Sequence, residues 1–426
     1  MYKVLKVLFT FVEQPKNLIT NAMGIFLIGV IVRVTMILVG ETYSPPRHFE
    51  LELVAISLSE VGSYANAFGS SSGPTAHFAP IYPIFLALIF KIFGTDVMSE
   101  LIRQVFNTIF IAFHYALLPF IAKACRLPVS AGVLAGLLGA FLPFHFLSEV
   151  RGQESALAAL ALVCLCLLSL KYMSYRNIGQ PQAVILGVSW GVGALITPSL
   201  IPVLGGFMFL RGITSYGGSF FSFIKEVATI GVVIALVLSP WAIRNYIQLG
   251  DLIWTRSSLG VELNMSNNDL ASAAWFDNTV GREKGGHPWE STSEYQEYLE
   301  VGEVEYNRNK LVTAVNWIRE NPGRFLALTA KRMQYFWLPK MERIGQGLLL
   351  GLLTVFAVAG LIRLLLTRHQ SVGFFLSIWV TFPLVYYLVQ FVGRYRVIIL
   401  WSVLLVATTL IVWAIRNLLP YEGESD

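Results

Sequence analysis

The sequence predicts an all-α polytopic membrane protein, a bundle of about ten transmembrane helices with interfacial helices on its outer face. Three observations predict it. Of 426 residues, 55% are hydrophobic and 13% charged, whereas an average soluble domain is about 25% charged. Apolar runs approaching the ~20 residues needed to cross a bilayer recur along the chain. The 13% aromatic content suits the Trp and Tyr belts that mark both membrane surfaces.

The expected spans are 19–40, 99–122, 128–147, 155–172, 183–197, 198–211, 225–244, 346–366, 371–391 and 397–418. The first apolar run lacks a small-residue cleavage site and reads as a retained span. Thr197-Pro198 divides a short pair, because proline removes a backbone donor that neighbours must compensate inside a membrane. Lys and Arg in short loops set the orientation. With Lys3, Lys6 and Lys16 inside, ten crossings also put Lys123/Arg126, Lys171/Arg176, Arg211/Lys225, Arg363/Arg368 and Arg416 inside. That count requires the apolar segment 80–93 to stay on one side, and its ~14 residues are short for a crossing.

Three regions follow. Residues 1–244 form an N-terminal membrane module whose first outer loop is 41–98, 245–345 form a large outer loop with amphipathic helices, and 346–426 hold the C-terminal spans. Residues 292–320 show helical periodicity with mixed charges and stop at Asn321-Pro322-Gly323. RFLALTAKRMQYFW (324–337) suits a helix lying in the interface. A net charge of +5 fits inner-loop bias in a membrane protein, and no nucleic-acid partner is expected. Cys125, Cys164 and Cys166 form neither a disulfide framework nor a zinc pattern.

Polar residues that could carry chemistry gather at the outer boundary. Glu50 and Glu52 follow the first span. Helical spacing of Leu51, Val54, Ala55 and Leu58 puts the two glutamates on different faces, so at most one enters a given pocket. Solvated loop carboxylates are the bland alternative. Glu149, Arg151 and Glu154 open a span, where acids also simply suit a helix N-terminus. Arg394 and Arg396 in VGRYRVIIL suit a phosphate, and equally suit snorkelling to headgroups. Arg244 and Arg256 are comparable boundary cations, and His77 and His287 are the outer histidines of most distinctive context. Arg33 lies inside the first span. An intramembrane arginine costs about 2.5–3.5 kcal/mol on insertion scales, so it is expected to face the bundle and pair. No Walker loop, dinucleotide fingerprint, HExxH or GxSxG elbow occurs, and no metal or cofactor is expected. Any chemistry should therefore use a substrate that arrives already activated.

In order and spacing the chain resembles the membrane-embedded C-type glycosyltransferases (GT-C), in particular the bacterial family-39-like, protein mannosyltransferase- and aminoarabinose transferase-related proteins. The resemblance rests on Phe49-Glu50 followed by LVAISLSEVGSYANAFG, on GPTAHFAPIYPIFLALIFKIFG (73–94), LIRQVFNTIF (101–110), LITPSLIP (195–202), SPWAIRNYIQLG (239–250), RSSLGVELNMSNN (256–268), GHPWE (286–290), ENPGRFLALTAKRMQYFW (320–337) and GRYRVIIL (393–400). It covers nearly the whole chain.

The resemblance implies transfer of a sugar from a polyprenyl-phosphate carrier to a glycan, lipid or protein acceptor. The reaction would take place on the periplasmic or extracellular side of a bacterial inner membrane. The family's first outer loop usually supplies an acidic catalytic residue, a role carried here to Glu50, with Glu52 and Glu154 as second acids. Relatives often have Asp or an acidic pair at that point, and here Leu51 follows. Arg394 and Arg396 are expected on the carrier phosphate, Arg256 and Arg244 as alternates, and His77 and His287 in the acceptor pocket. Attack opposite the phosphate would invert the anomeric centre. A lipid or glycan transporter is the competing class; it predicts midplane polar residues and repeated halves.

Overall fold

The structure is a computed structural model that describes residues 12–173, 179–214, 220–284, 286–338 and 344–418. Lys3, Lys6 and Arg176, used above for orientation, lie outside the described residues. The regular elements among the described residues are all helices, with two isolated bridges, Ala65 to Pro74 and Ala274 to Phe391.

The first half contains α1 (Leu18–Val39), α2 (Glu50–Val61), α3 (Ile81–Phe93), α4 (Val97–Ala116), α5 (Leu118–Ala124), α6 (Val129–Phe141), α7 (Phe146–Val150), α8 (Ser155–Met173), α9 (Gln180–Ile196), α10 (Ile201–Thr214) and α11 (Phe220–Leu249). Then come the short α12 (Leu259–Ser266) and α13 (Thr279–Lys284), the long α14 (Thr292–Glu320) and α15 (Pro322–Trp337). The chain closes with α16 (Ile344–Leu366), α17 (Val372–Thr381), α18 (Leu384–Leu388) and α19 (Gly393–Leu418).

Six helices among the described residues are long and apolar enough to cross a membrane: Leu18–Val39, Val97–Ala124, Ser155–Tyr172, Phe220–Leu249, Gly347–Leu366 and Gly393–Leu418. The other expected spans are shorter helices, and prolines break several of them. Expected span 128–147 stops as a helix at Phe141, just before Pro143. Thr197, which precedes Pro198, is extended (φ −157°, ψ 127°) and separates α9 from the 3₁₀ turn that leads into α10. Pro383 divides α17 from α18. Segment 80–93 is the 13-residue α3, which rises only ~20 Å at 1.5 Å per residue. It packs on α2 and α4.

α19 is the central helix. It packs against α6, α8 and α16, and every residue from Arg396 to Thr409 is buried. α6 approaches its neighbours closely: a Cβ on Gly136 would lie 2.7 Å from Ile25 Cδ1 and 2.9 Å from the Tyr115 carbonyl oxygen. Small residues permit such approach between membrane helices.

Arg33 faces the bundle and is paired. Its Nε lies 2.9 Å from Glu149 Oε2, and its terminal nitrogens donate to the carbonyls of Gly139 (2.9 Å), Ala140 (3.1 Å) and Gly29 (3.4 Å). Both side chains are fully buried. Removing one partner of such a pair strands a charge and costs about 3–5 kcal/mol, whereas replacing both with apolar groups is often neutral. Glu149→Ala is therefore expected to lower the thermal transition of the detergent-solubilised protein sharply. Arg33→Met combined with Glu149→Leu should recover most of the loss; an equal or larger loss in the double variant would contradict the assignment.

Candidate active site

Glu50 is the first residue of α2. Phe49 is the N-cap, and Glu52 at the third helical position accepts the Phe49 N–H at 3.2 Å. Carboxylates suit this helix end because they face its positive pole. Gly62, left-handed at φ 70°, closes the helix. The two glutamates diverge as their spacing requires. Glu52 is buried and paired with Arg103 of α4, which also binds Glu100 at 2.7 Å. Arg151 adds a 3.1 Å contact to Glu100. Glu52 is thus part of a buried ion network that roots α2 on α4.

Glu50 points the other way, and its Oε1 lies 3.0 Å from His287 Nε2. His287 Nε2 faces Glu50, and the Trp289 N–H approaches the other ring nitrogen, Nδ1, at 3.1 Å. The Phe68 ring packs edge-on against both His77 and His287, with centroids 5.0 and 5.8 Å away. Burial pushes the Glu50 carboxyl up, but the His287 imidazole, through charge and hydrogen bond, and Arg394 pull harder and hold it at about 2. The same pairing raises His287 against the effect of its own burial. His77 behaves oppositely: burial and the nearby Arg256 push it down to about 3 despite Glu50. It is a neutral imidazole whose buried Nδ1 has no hydrogen-bond partner among the described residues.

Neither Glu50 nor His287 lines a cavity of about 300 Å³ whose wall holds Arg394, Arg256, Glu154, Glu262, Tyr386 and Tyr395 among others, but Arg394 is near enough for its charge to act on Glu50. Tyr386 and Tyr395 stack with centroids 4.1 Å apart, and the Arg394 guanidinium lies 5.5 Å from the Tyr395 ring. The Tyr386 hydroxyl donates to Ser199 Oγ at 2.9 Å. Arg256 Nε donates to Ser258 Oγ at 2.8 Å, and its Nη2 is 4.0 Å from Glu262 Oε1, with a quarter of each of those charged side chains exposed. Glu154 Oε2 is buried in this wall without a hydrogen-bond partner among the described residues. The wall thus carries two cations, two acidic side chains and two tyrosines beside apolar groups, and its arginines are the groups that could meet a phosphate.

Two of the expected phosphate ligands lie elsewhere. Arg396 is buried against α16 and donates to the Trp337 carbonyl (3.1 Å) and Thr354 Oγ1 (2.6 Å). Residues two apart on a helix are ~200° apart around it, so Arg394 and Arg396 cannot share one cavity. Arg244 is committed to main chain: it donates to the carbonyls of Tyr64 (2.5 Å) and Thr75 (2.6 Å) and lies over the Tyr64 and Trp241 rings. It fastens the 62–80 loop to α11. Among the described residues no group of three or more His, Cys, Asp or Glu is arranged to hold a metal ion.

One residue organises the site without having been singled out in the sequence. Glu303 is buried and accepts from Thr75 Oγ1 (2.5 Å), the Ala76 N–H (2.7 Å), Ser257 Oγ (2.7 Å) and the Tyr298 hydroxyl (3.1 Å). It joins α14 to the strip bearing His77 and to the strip bearing Arg256. Gly302 before it has left-handed φ 79° and breaks α14, which turns Glu303 inward. That glycine is the one local signal separating Glu303 from the other acids of TSEYQEYLEVGEVEYNRNK.

All four groups facing Glu303 donate to it: three are hydroxyls, which could turn, and the fourth is the Ala76 N–H, which can only donate. Glu303→Leu removes the acceptor altogether and leaves the buried Ala76 N–H and its neighbouring hydroxyls unpaired, at about 1–3 kcal/mol each. The variant should unfold at lower temperature, and hydrogen exchange at the Ala76 amide should accelerate; unchanged exchange there would remove Glu303 from the anchor. No family model matches the chain, and neither a curated protein nor a solved structure matches it.

Proposed function

We propose that this protein is an inverting glycosyltransferase that moves a sugar from a polyprenyl-phosphate carrier to an acceptor hydroxyl. The observation that carries the reading is the Glu50–His287 pair within reach of the charge of Arg394, which with Arg256 walls the cavity. The resemblance in motif order supports the same reading. We assign ten spans, the six long helices plus 129–141, 180–196, 198–213 and 372–388, with α3 lying on the outer side. The site then faces the periplasm or exterior of a bacterial inner membrane.

In this reading the carrier phosphate lies on Arg394 and Arg256, and the acceptor hydroxyl donates to Glu50. The hydroxyl oxygen attacks the anomeric carbon. The bond from that carbon to the phosphate oxygen breaks, and its electron pair leaves with polyprenyl phosphate, whose charge the arginines balance. The hydroxyl proton passes to Glu50. A carboxylate held at about 2 is a weak base, but the attacking oxygen becomes strongly acidic as its bond to carbon forms, so a weak, permanently ionised base is adequate. His287 keeps that carboxylate aimed and charged. Glu154 and His77 would shape the acceptor end. Arg33 offers no transport path, since Glu149 and three carbonyls bind it.

The test is to supply membranes with a panel of radiolabelled polyprenyl-phosphate sugars and follow which label moves. Glu50→Gln should lower turnover by about 10²–10⁴-fold, the usual worth of a general base, with folding unchanged. Wild-type turnover in that variant would remove Glu50 from the mechanism. Arg394→Ala should raise KM for the carrier more than for the acceptor.

A pH profile tests the role of His287. Activity needs ionised Glu50, so it is lost as pH falls through the Glu50 pKa. With that pKa near 2, well under the ordinary 4.5, kcat/KM should show no acid limb from Glu50 at pH 4–5. In His287→Ala the upward push of burial loses its main opponent, and an acid limb should move up into that range. Identical limbs in the two proteins would contradict the pairing.

A further inference from the structure

Several helices that begin beside the site converge at their far ends on a second, larger cavity. α8 starts at Ser155, in the wall of the Arg394 cavity, and carries Lys171 in its last turn. α10 follows Ser199 of that same wall and carries Arg211 in its last turn. α4 and α5 run from the Arg103 network to Lys123. From Ser155 to Lys171 the helix rises ~24 Å at 1.5 Å per residue, most of the ~30 Å of a hydrocarbon core. The second cavity therefore opens at the opposite face of the membrane.

It holds about 800 Å³. Among the described residues four cations stand in its wall, Lys123, Arg126, Lys171 and Arg211, and no Asp or Glu does. Arg211 is bound to Glu226 through two contacts of 2.6 and 3.1 Å, and Lys171 lies 5.4 Å from the Tyr172 ring centroid. Lys123 and Arg126 are exposed and have no carboxylate partner among the described residues. Arg126 occupies the left-handed position after α5 (φ 56°), where glycine is usual. The floor is apolar, with Phe120, Leu167, Phe207 and Phe374; the last two rings stack at 5.4 Å and 7°. A small inorganic anion would have no use for this floor, whereas an amphiphile would use both parts. Basic pockets between membrane helices are suited to anionic headgroups.

We propose that this cavity binds one anionic phospholipid. Its phosphate lies on Lys123 and Arg126, and its acyl chains lie against Phe120, Leu167 and the Phe207/Phe374 stack. The site is independent of the chemistry assigned to Glu50.

The test is native mass spectrometry of the full-length protein released from detergent with equal amounts of phosphatidylglycerol and phosphatidylcholine of identical chains. Wild type is expected to retain one phosphatidylglycerol in preference. Lys123→Ala with Arg126→Ala should lose about thirtyfold of that preference, from two headgroup contacts of about 1 kcal/mol each. Lys91→Ala, another exposed cation, should keep it. Both substituted heads are exposed, so a thermal transition like wild type is expected, and Arg126→Gln alone provides a milder variant that should lose part of the preference. Equal retention of the two lipids by wild type, an undiminished preference in the double variant, or displacement by inorganic phosphate alone would each overturn the proposal.

Discussion

Arg103 is the constraint on which the geometry of the site depends. It lies one helix away from Glu50 and does not touch it. By binding Glu52 and Glu100 in a buried network it fixes the rotation of α2 about its own axis. Glu50, two residues earlier, is ~200° around that axis and is thereby turned toward the 286–290 turn and His287. The helix cannot rotate to bury Glu50 instead without stranding Arg103, which would leave an unpaired charge in a low-dielectric interior. A local rule about helical spacing thus becomes an orientation only because α4 supplies the cation.

A second anchor works on the opposite wall. Glu303 collects two side-chain hydroxyls and a main-chain amide from two separate strips of chain, together with its own helix's Tyr298. Arg244 adds two main-chain carbonyls of the same loop. Charged groups here serve mainly to tie down irregular backbone, because such backbone needs hydrogen-bond partners wherever it is withdrawn from water. The groups left over after this tying are few: Glu50 with His287, neutral His77, and Arg394, Arg256 and Glu154 around the smaller cavity. That residue of unspent polarity is what distinguishes the two ends of the bundle, since the other end leaves only cations over an aromatic floor.

Composition and span-length apolar runs were enough to read an all-α membrane protein, and the spacing of Leu51, Val54, Ala55 and Leu58 was enough to read α2. Pro198 and Pro322 marked real breaks, because proline restricts the residue before it and cannot continue a hydrogen-bonded helix. Arg33 was legible as a paired residue because a lone charge in lipid is too costly to leave alone. Which acid pairs with it was not legible, since Glu149 lies 116 residues away.

Side-chain periodicity is a property of one helix, and it separated Glu50 from Glu52 and, in principle, Arg394 from Arg396. Only tertiary structure decided which member of each pair faces the site, because that choice belongs to the neighbours: Arg103 takes Glu52, and Trp337 with Thr354 takes Arg396. The roles of Glu303 and Arg244 were likewise settled by packing. Their partners are main-chain and hydroxyl groups, which every segment of the sequence possesses and none advertises.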